Sequence, residues 1–206
     1  QHAGQFVPSV DSARFAGPRL IVDVGRSGTF YAVTVRVVAP DSTLLATERA
    51  VGSEQDIVDK LDTLLRRVRS RLGESPASLQ ASARPLRLVA SASLRALAAY
   101  VSGMRAYQQG DRAAAQRAWV AALSSDSTFA LAALELATNA LDQGDKAAAD
   151  RWLSLALSRS DRLAPPDSAR ARFLAALVKG AVDSAMVYAR VAQQSGTALW
   201  NLLGWH

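Results

Sequence analysis

Cysteine is absent from this 206-residue chain. That excludes a disulfide framework, a thiolate nucleophile and any cysteine metal site. Its lack suits an oxidising cell envelope as well as a reducing cytoplasm. Histidine is almost absent too: His2 and His206 stand at the two ends, where no packed shell would hold a catalytic imidazole. No His, Cys and carboxylate set has ligand spacing, so neither a metal nor a cofactor is expected. No uncharged apolar run approaches the roughly 18–20 residues that span a bilayer. The composition is half hydrophobic, which is enough for a packed core and argues against wholesale disorder.

Lysine is scarce, at three of the 24 basic residues, and the net charge is +6. The arginines are scattered along the chain, with no aromatic-interleaved basic stretch, so the charge reads as a solvated surface rather than a nucleic-acid site. The one cluster, Arg66, Arg67, Arg69 and Arg71, falls in the last turns of a predicted helix, where cations complement the helix dipole. Asp23, Asp41 and Glu48 lie on or beside predicted strands with nothing to pair them as acid and base, and are read as solvated. Gly25-Arg26-Ser27-Gly28 lacks the lysine of a phosphate loop and reads as a hairpin turn. No kinase signature is present.

What is there falls into two halves. Residues 1–18 read as an extended arm. Leu20, Val22 and Val24 alternate as a strand, Thr29–Val38 is a second with Tyr31, Val33, Val35 and Val37 on one face, and Leu44–Val51 is a third. Ser53-Glu54-Gln55-Asp56 resembles a helix cap. Ile57, Leu61, Leu64, Leu65, Val68 and Leu72 follow at helical spacing, and Gly73 is the stop. This predicts an α+β module over 19–75, a three-stranded antiparallel sheet whose apolar face one helix covers. Residues 76–92 read as a connector with a short helical turn. Three strands and one helix are marginal alone, so the module is expected to lean on the rest of the chain or on a partner.

From residue 93 the pattern turns helical. Gly110-Asp111-Arg112-Ala113-Ala114-Ala115 recurs 34 residues later as Gly144-Asp145-Lys146-Ala147-Ala148-Ala149. Gly103 matches Ala137, and Ala122-Leu123 matches Ala156-Leu157. Helices are predicted at 93–109, 112–124, 128–143, 146–160, 168–179, 183–194 and 197–204, with Pro165-Pro166 displacing the third hairpin so that it turns at Gly180.

A 34-residue period of paired helices resembles tetratricopeptide repeats. The resemblance covers 93–127 and 128–161 closely, 167–196 divergently, and a partial repeat at 197–206, where Trp200, Leu203 and Gly204 resemble the repeat's W-x-x-L-G opening. It implies an all-α solenoid following the α+β module. It also implies small residues where helices cross, at Gly103, Ala115, Ala122, Ala137, Ala149 and Ala156, with Trp119 and Leu153 packing between repeats. The sheet, helix and following helical segment loosely resemble a TolB-N-terminal-like module placed before such repeats, as in C-terminal parts of bacterial Ser/Thr kinase or cyclase-type regulators.

The resemblance implies a binding role rather than catalysis. The face that lines the inner groove in such repeats carries Leu97, Tyr100, Met104 and Tyr107, continued by Leu131, Leu134, Thr138 and Leu141. It lacks the Lys, Arg and Asn of a carboxylate clamp, so an apolar segment is the expected occupant. Trp200, Leu203 and Trp205 are expected to make a sticky end that docks on a partner or marks a truncated repeat. The chain is therefore expected to be a non-enzymatic assembly module whose partners are proteins. One version is a processed accessory subunit of a bacterial membrane-associated respiratory or photosynthetic complex. That version places it at the periplasmic face of the cell envelope rather than in the cytoplasm, associated with the membrane through its partner. The other version is a sensory or regulatory segment of a kinase or cyclase-type regulator.

Overall fold

The computed structural model describes residues 18–81 and 85–194. The arm read over 1–18 lies almost wholly outside the described residues, as do His2, His206, the partial repeat at 197–206 and with it Trp200, Leu203 and Trp205. The chain forms two compact units, Gln1–Leu86 and Arg87–His206, which part inside the segment read as a connector.

The first unit is a three-stranded antiparallel sheet in the order β1-β2-β3, with β1 over Arg19–Ser27, β2 over Phe30–Val38 and β3 over Leu44–Ser53. Gly28 takes φ 59° in the two-residue turn between β1 and β2, a conformation open to glycine at no steric cost. Val33, Val35 and Val37 of β2 face the core beside Ala46 of β3. Helix α1, Ile57–Arg71, seals that core with Ile57, Val58, Leu64 and Val68. The expected capping box does not form. Ser53 stays in β3, and its hydroxyl donates to the Asp56 carboxylate at 2.7 Å instead of meeting a helix N–H.

The helix covers less of the sheet than expected. It packs across β3 and reaches β2. On β1, Leu20, Val22 and Val24 register opposite Val37, Val35 and Val33, on the core face, yet remain 52%, 38% and 61% exposed. A helix is about 10 Å across and strands are spaced about 4.8 Å apart, so one helix shelters two strands and not a third. Glu48 also departs from expectation. It sits on the core face opposite Val35, 8% exposed, with Arg71 Nε 2.8 Å from its carboxylate. The basic cluster of α1 thus serves a buried acid as well as the helix end. Asp23 pairs with Arg36 at 2.8 Å, and Asp41 accepts the Thr43 N–H at 2.9 Å. The predicted connector contains two short helices, α2 (Pro76–Ala81) and α3 (Leu86–Val89); both oxygens of Asp62 accept the Leu86 N–H that starts α3.

The second unit is helical: α4 (Leu94–Gln108), α5 (Arg112–Ser125), α6 (Ala130–Asp142), α7 (Lys146–Ser158), α8 (Pro165–Val178) and α9 (Val182–Gln194). They pack as three hairpins, α4 with α5, α6 with α7 and α8 with α9. Each hairpin turns the same way. Gly110, Gly144 and Gly180 take φ of 82°, 77° and 70°. The next residue's N–H in each case returns to the carbonyl five back, from Asp111 to Ala106, Asp145 to Ala140 and Ala181 to Ala176. This is the Schellman closure of a helix end. Asp111 and Asp145 then cap the following helices by accepting from Ala114 N and Ala148 N at 2.8 and 2.9 Å.

The small residues at the repeated positions are buried: Ala115, Ala122, Ala137, Ala149 and Ala156 are 0% exposed and Gly103 is buried. Gly103 has the most at stake. The Trp119 indole lies against it so closely that a Cβ would overlap Nε1 and Cδ1. That proximity lets Nε1 donate to the Tyr100 carbonyl at 3.2 Å. Gly103→Ala should therefore destabilise the protein by about 1–3 kcal/mol despite alanine's better helix propensity. Ser102→Ala, one residue away on the exposed face, should stay within about 0.5 kcal/mol. Urea denaturation of the two variants decides it, and equal effects would remove the close-approach argument.

Candidate protein-binding surface

Helix α4 presents Leu97, Tyr100, Met104 and Tyr107 at spacings of three and four, so all four fall along one stripe. Each is half-buried. Tyr100, Met104 and Tyr107 pack on the cluster of Ala115, Trp119 and Leu136. The continuation of the row on α6 goes elsewhere. Leu134 is fully enclosed in the core shared with Leu153, Leu163 and Leu174, and Leu141 packs on its margin. The residues read as one groove therefore serve two clusters, and Leu134 presents no surface. Helix α6 is buried on every side from Ala132 to Ala140, because α5, α7 and α8 all pack against it.

The tyrosines are engaged. Tyr100 leans on Phe129 with ring centroids 5.2 Å apart. Tyr107 leans on Trp119 at 5.7 Å, and the Arg112 guanidinium lies 3.7 Å above its centroid. The Tyr107 hydroxyl donates to Asp142 at 2.5 Å, and Arg112 pairs with the same carboxylate at 3.2 Å. Asn139 Nδ2 donates to the Arg112 carbonyl at 3.1 Å. Burial, and then the bond to Asp142, push the Tyr107 hydroxyl up to about 12.

A polar group also sits where the row was read as apolar. Glu135 and Arg170 are 6% and 5% exposed and make two hydrogen bonds, at 3.0 and 3.2 Å, between α6 and α8. Arg170 Nη2 donates to Thr138 Oγ1 at 2.6 Å, and Thr138 in turn donates to the Leu134 carbonyl. Burial works against the Arg170 charge; the Glu135 carboxylate outweighs it and holds the guanidinium above its ordinary pKa. The charges of Glu135 and Asp167 add to burial in pushing the Tyr100 hydroxyl well above its ordinary pKa. At the head of α4, Ser91 donates to Asp126 at 2.6 Å. Burial alone would raise that carboxyl, but the bonds from Ser91 and Thr128 hold it below the usual range.

Sequence reasoning missed Glu135, Asn139, Asp142 and Arg170. The signal available was a charged residue, Glu135, between Leu131 and Thr138 on an otherwise apolar stripe; nothing local marked Arg170, 35 residues on, as its partner. Among the described residues no group of three or more His, Cys, Asp or Glu is arranged to hold a metal ion, and no helix is long and apolar enough to cross a membrane. No protein-family model matches the chain, and no curated protein matches it.

Large apolar side chains do reach solvent on this unit. On the last described helix, α9, Val182, Met186 and Val187 are all more than half exposed.

The buried ion pair and the Tyr107 hydroxyl each give a measurable outcome. Arg170→Ala strands the Glu135 carboxylate and should cost about 3–5 kcal/mol, whereas Glu135→Leu with Arg170→Met should be much milder. Equal losses in denaturant melts would assign the effect to packing alone. The Tyr107 hydroxyl ionises near 12 when folded against about 10 unfolded. Because the folded pKa is raised, its contribution to stability is whole below pH 10 and disappears as pH rises through 12. Titration followed by tyrosinate absorbance should show this late step in wild type and lose it in Tyr107→Phe.

Proposed function

We propose that this chain is a non-catalytic protein-binding and assembly module, with its helical unit a short solenoid of tetratricopeptide-like repeats. The observation that carries the proposal is the repeated hairpin. Three glycine turns share one hydrogen-bond pattern at spacings of 34 and 36 residues, and the small residues at repeated positions are buried. Such arrays expose broad surfaces and stack neighbour on neighbour. The row of Val182, Met186 and Val187 is the kind of face on which a further helix, from this chain or from a partner, would stack. The accessory-subunit version makes the partner part of a bacterial membrane-associated complex and the location the periplasmic face of the envelope.

A second reading is favoured by the order of the parts. A three-stranded sheet with one helix, followed by helix hairpins, is the order of the TolB-like arrangement found beside kinase and cyclase-type regulators. A kinase, cyclase or DNA-binding domain encoded in the same reading frame would select that version over the subunit.

The test is cross-linking of the native protein in its source cells followed by mass spectrometry, with wild type beside the double variant Met186→Asp, Val187→Asp. A specific partner should be recovered with wild type and fall about tenfold or more with the variant, as expected when interface anchors are lost. The two sites are exposed, so the melting temperature should hold. A native protein that runs alone, cross-links to nothing reproducible and is indifferent to the variant would sink the proposal.

A further inference from the structure

Among the described residues, the outer edge of β3 pairs with no further strand and runs beside a cationic helix. The two-residue turn makes Ser27 and Phe30 a hydrogen-bonded pair. Strict alternation from there turns the backbone of Val33, Val35 and Val37 toward β3, where their partners are Ala50, Glu48 and Ala46. The N–H and C=O groups of Thr47, Arg49 and Val51 therefore point away from the sheet. Lys60 of α1 fits this phase, since its ammonium donates to the outward carbonyl of Val51 at 2.8 Å. The one irregularity, an extra residue at Leu45, falls at the start of β3 and leaves Ala46–Ser53 regular.

Between this edge and α1 lies a cavity of about 250 Å³, lined chiefly by Arg49, Val51, Lys60, Thr63, Leu64 and Arg67. Lys60, Thr63 and Arg67 share one stripe of the helix. Leu64 is buried beneath them. The lining is cationic and only partly neutralised. Lys60 pairs with Asp56 at 3.0 Å. Arg67 stands 3.9 Å from Glu48, beyond hydrogen-bond reach, and its side chain is 63% exposed. Glu48 is already ion-paired with Arg71, whose Nε stands 2.8 Å from its carboxylate. The Arg49 side chain, registered opposite Thr34, lies on the sheet face away from α1.

We propose that the groove between β3 and α1 binds an extended acidic peptide segment by strand addition. Its backbone pairs with Thr47 and Arg49, short of the Val51 carbonyl that Lys60 already holds, and its carboxylates fall on the face of Lys60 and Arg67. An added strand would run about 4.8 Å outside β3, within the cavity, and would send alternate side chains to the two faces. The complementary charge selects the occupant: basic side chains on that face would meet the like charges of Lys60 and Arg67. Among the described residues, the other edge, β1, has an open apolar face and no cationic helix beside it. This inference concerns the sheet unit and goes beyond the reading of the helical unit; either can fail alone.

The experiment uses the full chain and three eight-residue peptides. One alternates Thr and Glu, one alternates Thr and Lys, and one keeps Glu but has Pro in place of every Thr, which removes the N–H groups a strand needs. Binding is read by fluorescence anisotropy at low salt, and pairing by amide hydrogen exchange. The Thr/Glu peptide should bind saturably and slow exchange within 44–53, while the other two should not. Arg67→Glu should weaken binding about tenfold or more, the scale of one charge-assisted contact reversed. Thr47→Pro removes an outward N–H without touching the ladder to β2 and should weaken it as well. Equal binding of the proline peptide, or of an oligonucleotide, without slowed exchange would reduce the groove to general anion attraction. Unchanged affinity in Arg67→Glu, or no slowing within 44–53, would overturn the proposal and leave Lys60 and Arg49 as guards against edge-to-edge pairing.

Discussion

The Trp119 indole can lie on the backbone of α4 only because position 103 has no side chain. A fully enclosed indole needs a partner for its N–H, since an unpaired buried donor costs about 1–3 kcal/mol. The gap at Gly103 gives access to the Tyr100 carbonyl, one turn earlier on the same helix. Much of the first hairpin is arranged around that contact. Tyr107 leans on the indole, Arg112 covers Tyr107, and both reach Asp142 at the end of α6. The close approach of α4 and α5 is thereby carried into the second hairpin.

The rest of the helical core is rich in alanine, which permits close helix contact but has little shape with which to fix one register over another. Position-specific contacts supply what alanine lacks. Glu135 and Arg170 tie α6 to α8 through a buried bidentate pair, with Thr138 sharing the guanidinium. Asn139 reaches back to the Arg112 carbonyl at the head of α5. A buried ion pair adds little net stability compared with apolar residues, but a misplaced one is costly, so it discriminates between packings.

These arrangements explain why the surface expected on α4 is not simply an apolar groove. Its tyrosines already have partners within the unit, and one leucine of the expected row is enclosed. Apolar side chains reach solvent elsewhere, on α9 and on the uncovered strand β1. Among the described residues the outer edge of β3 is also unpaired, and cations line it.

The sequence by itself determined what local geometry dictates. Alternating valines marked β2, and helical spacing with Gly73 marked α1. The repeated Gly-Asp pairs located two hairpin turns and their caps, and Gly180 the third turn, because a left-handed residue followed by a short acceptor has few other uses. The burial of the repeated small residues was legible for the same reason: helices at close range admit little else. Tertiary structure alone decided which faces were covered. Nothing in the alternation of Leu20, Val22 and Val24 reveals that one helix would shelter β2 and β3 and leave β1 bare; that follows from widths. Glu48 looked solvated until α1 brought Arg71 over it, and Glu135 is explained only by an arginine 35 residues away. Periodicity assigns a residue to a face, but what lies against that face depends on how elements distant in the chain are packed.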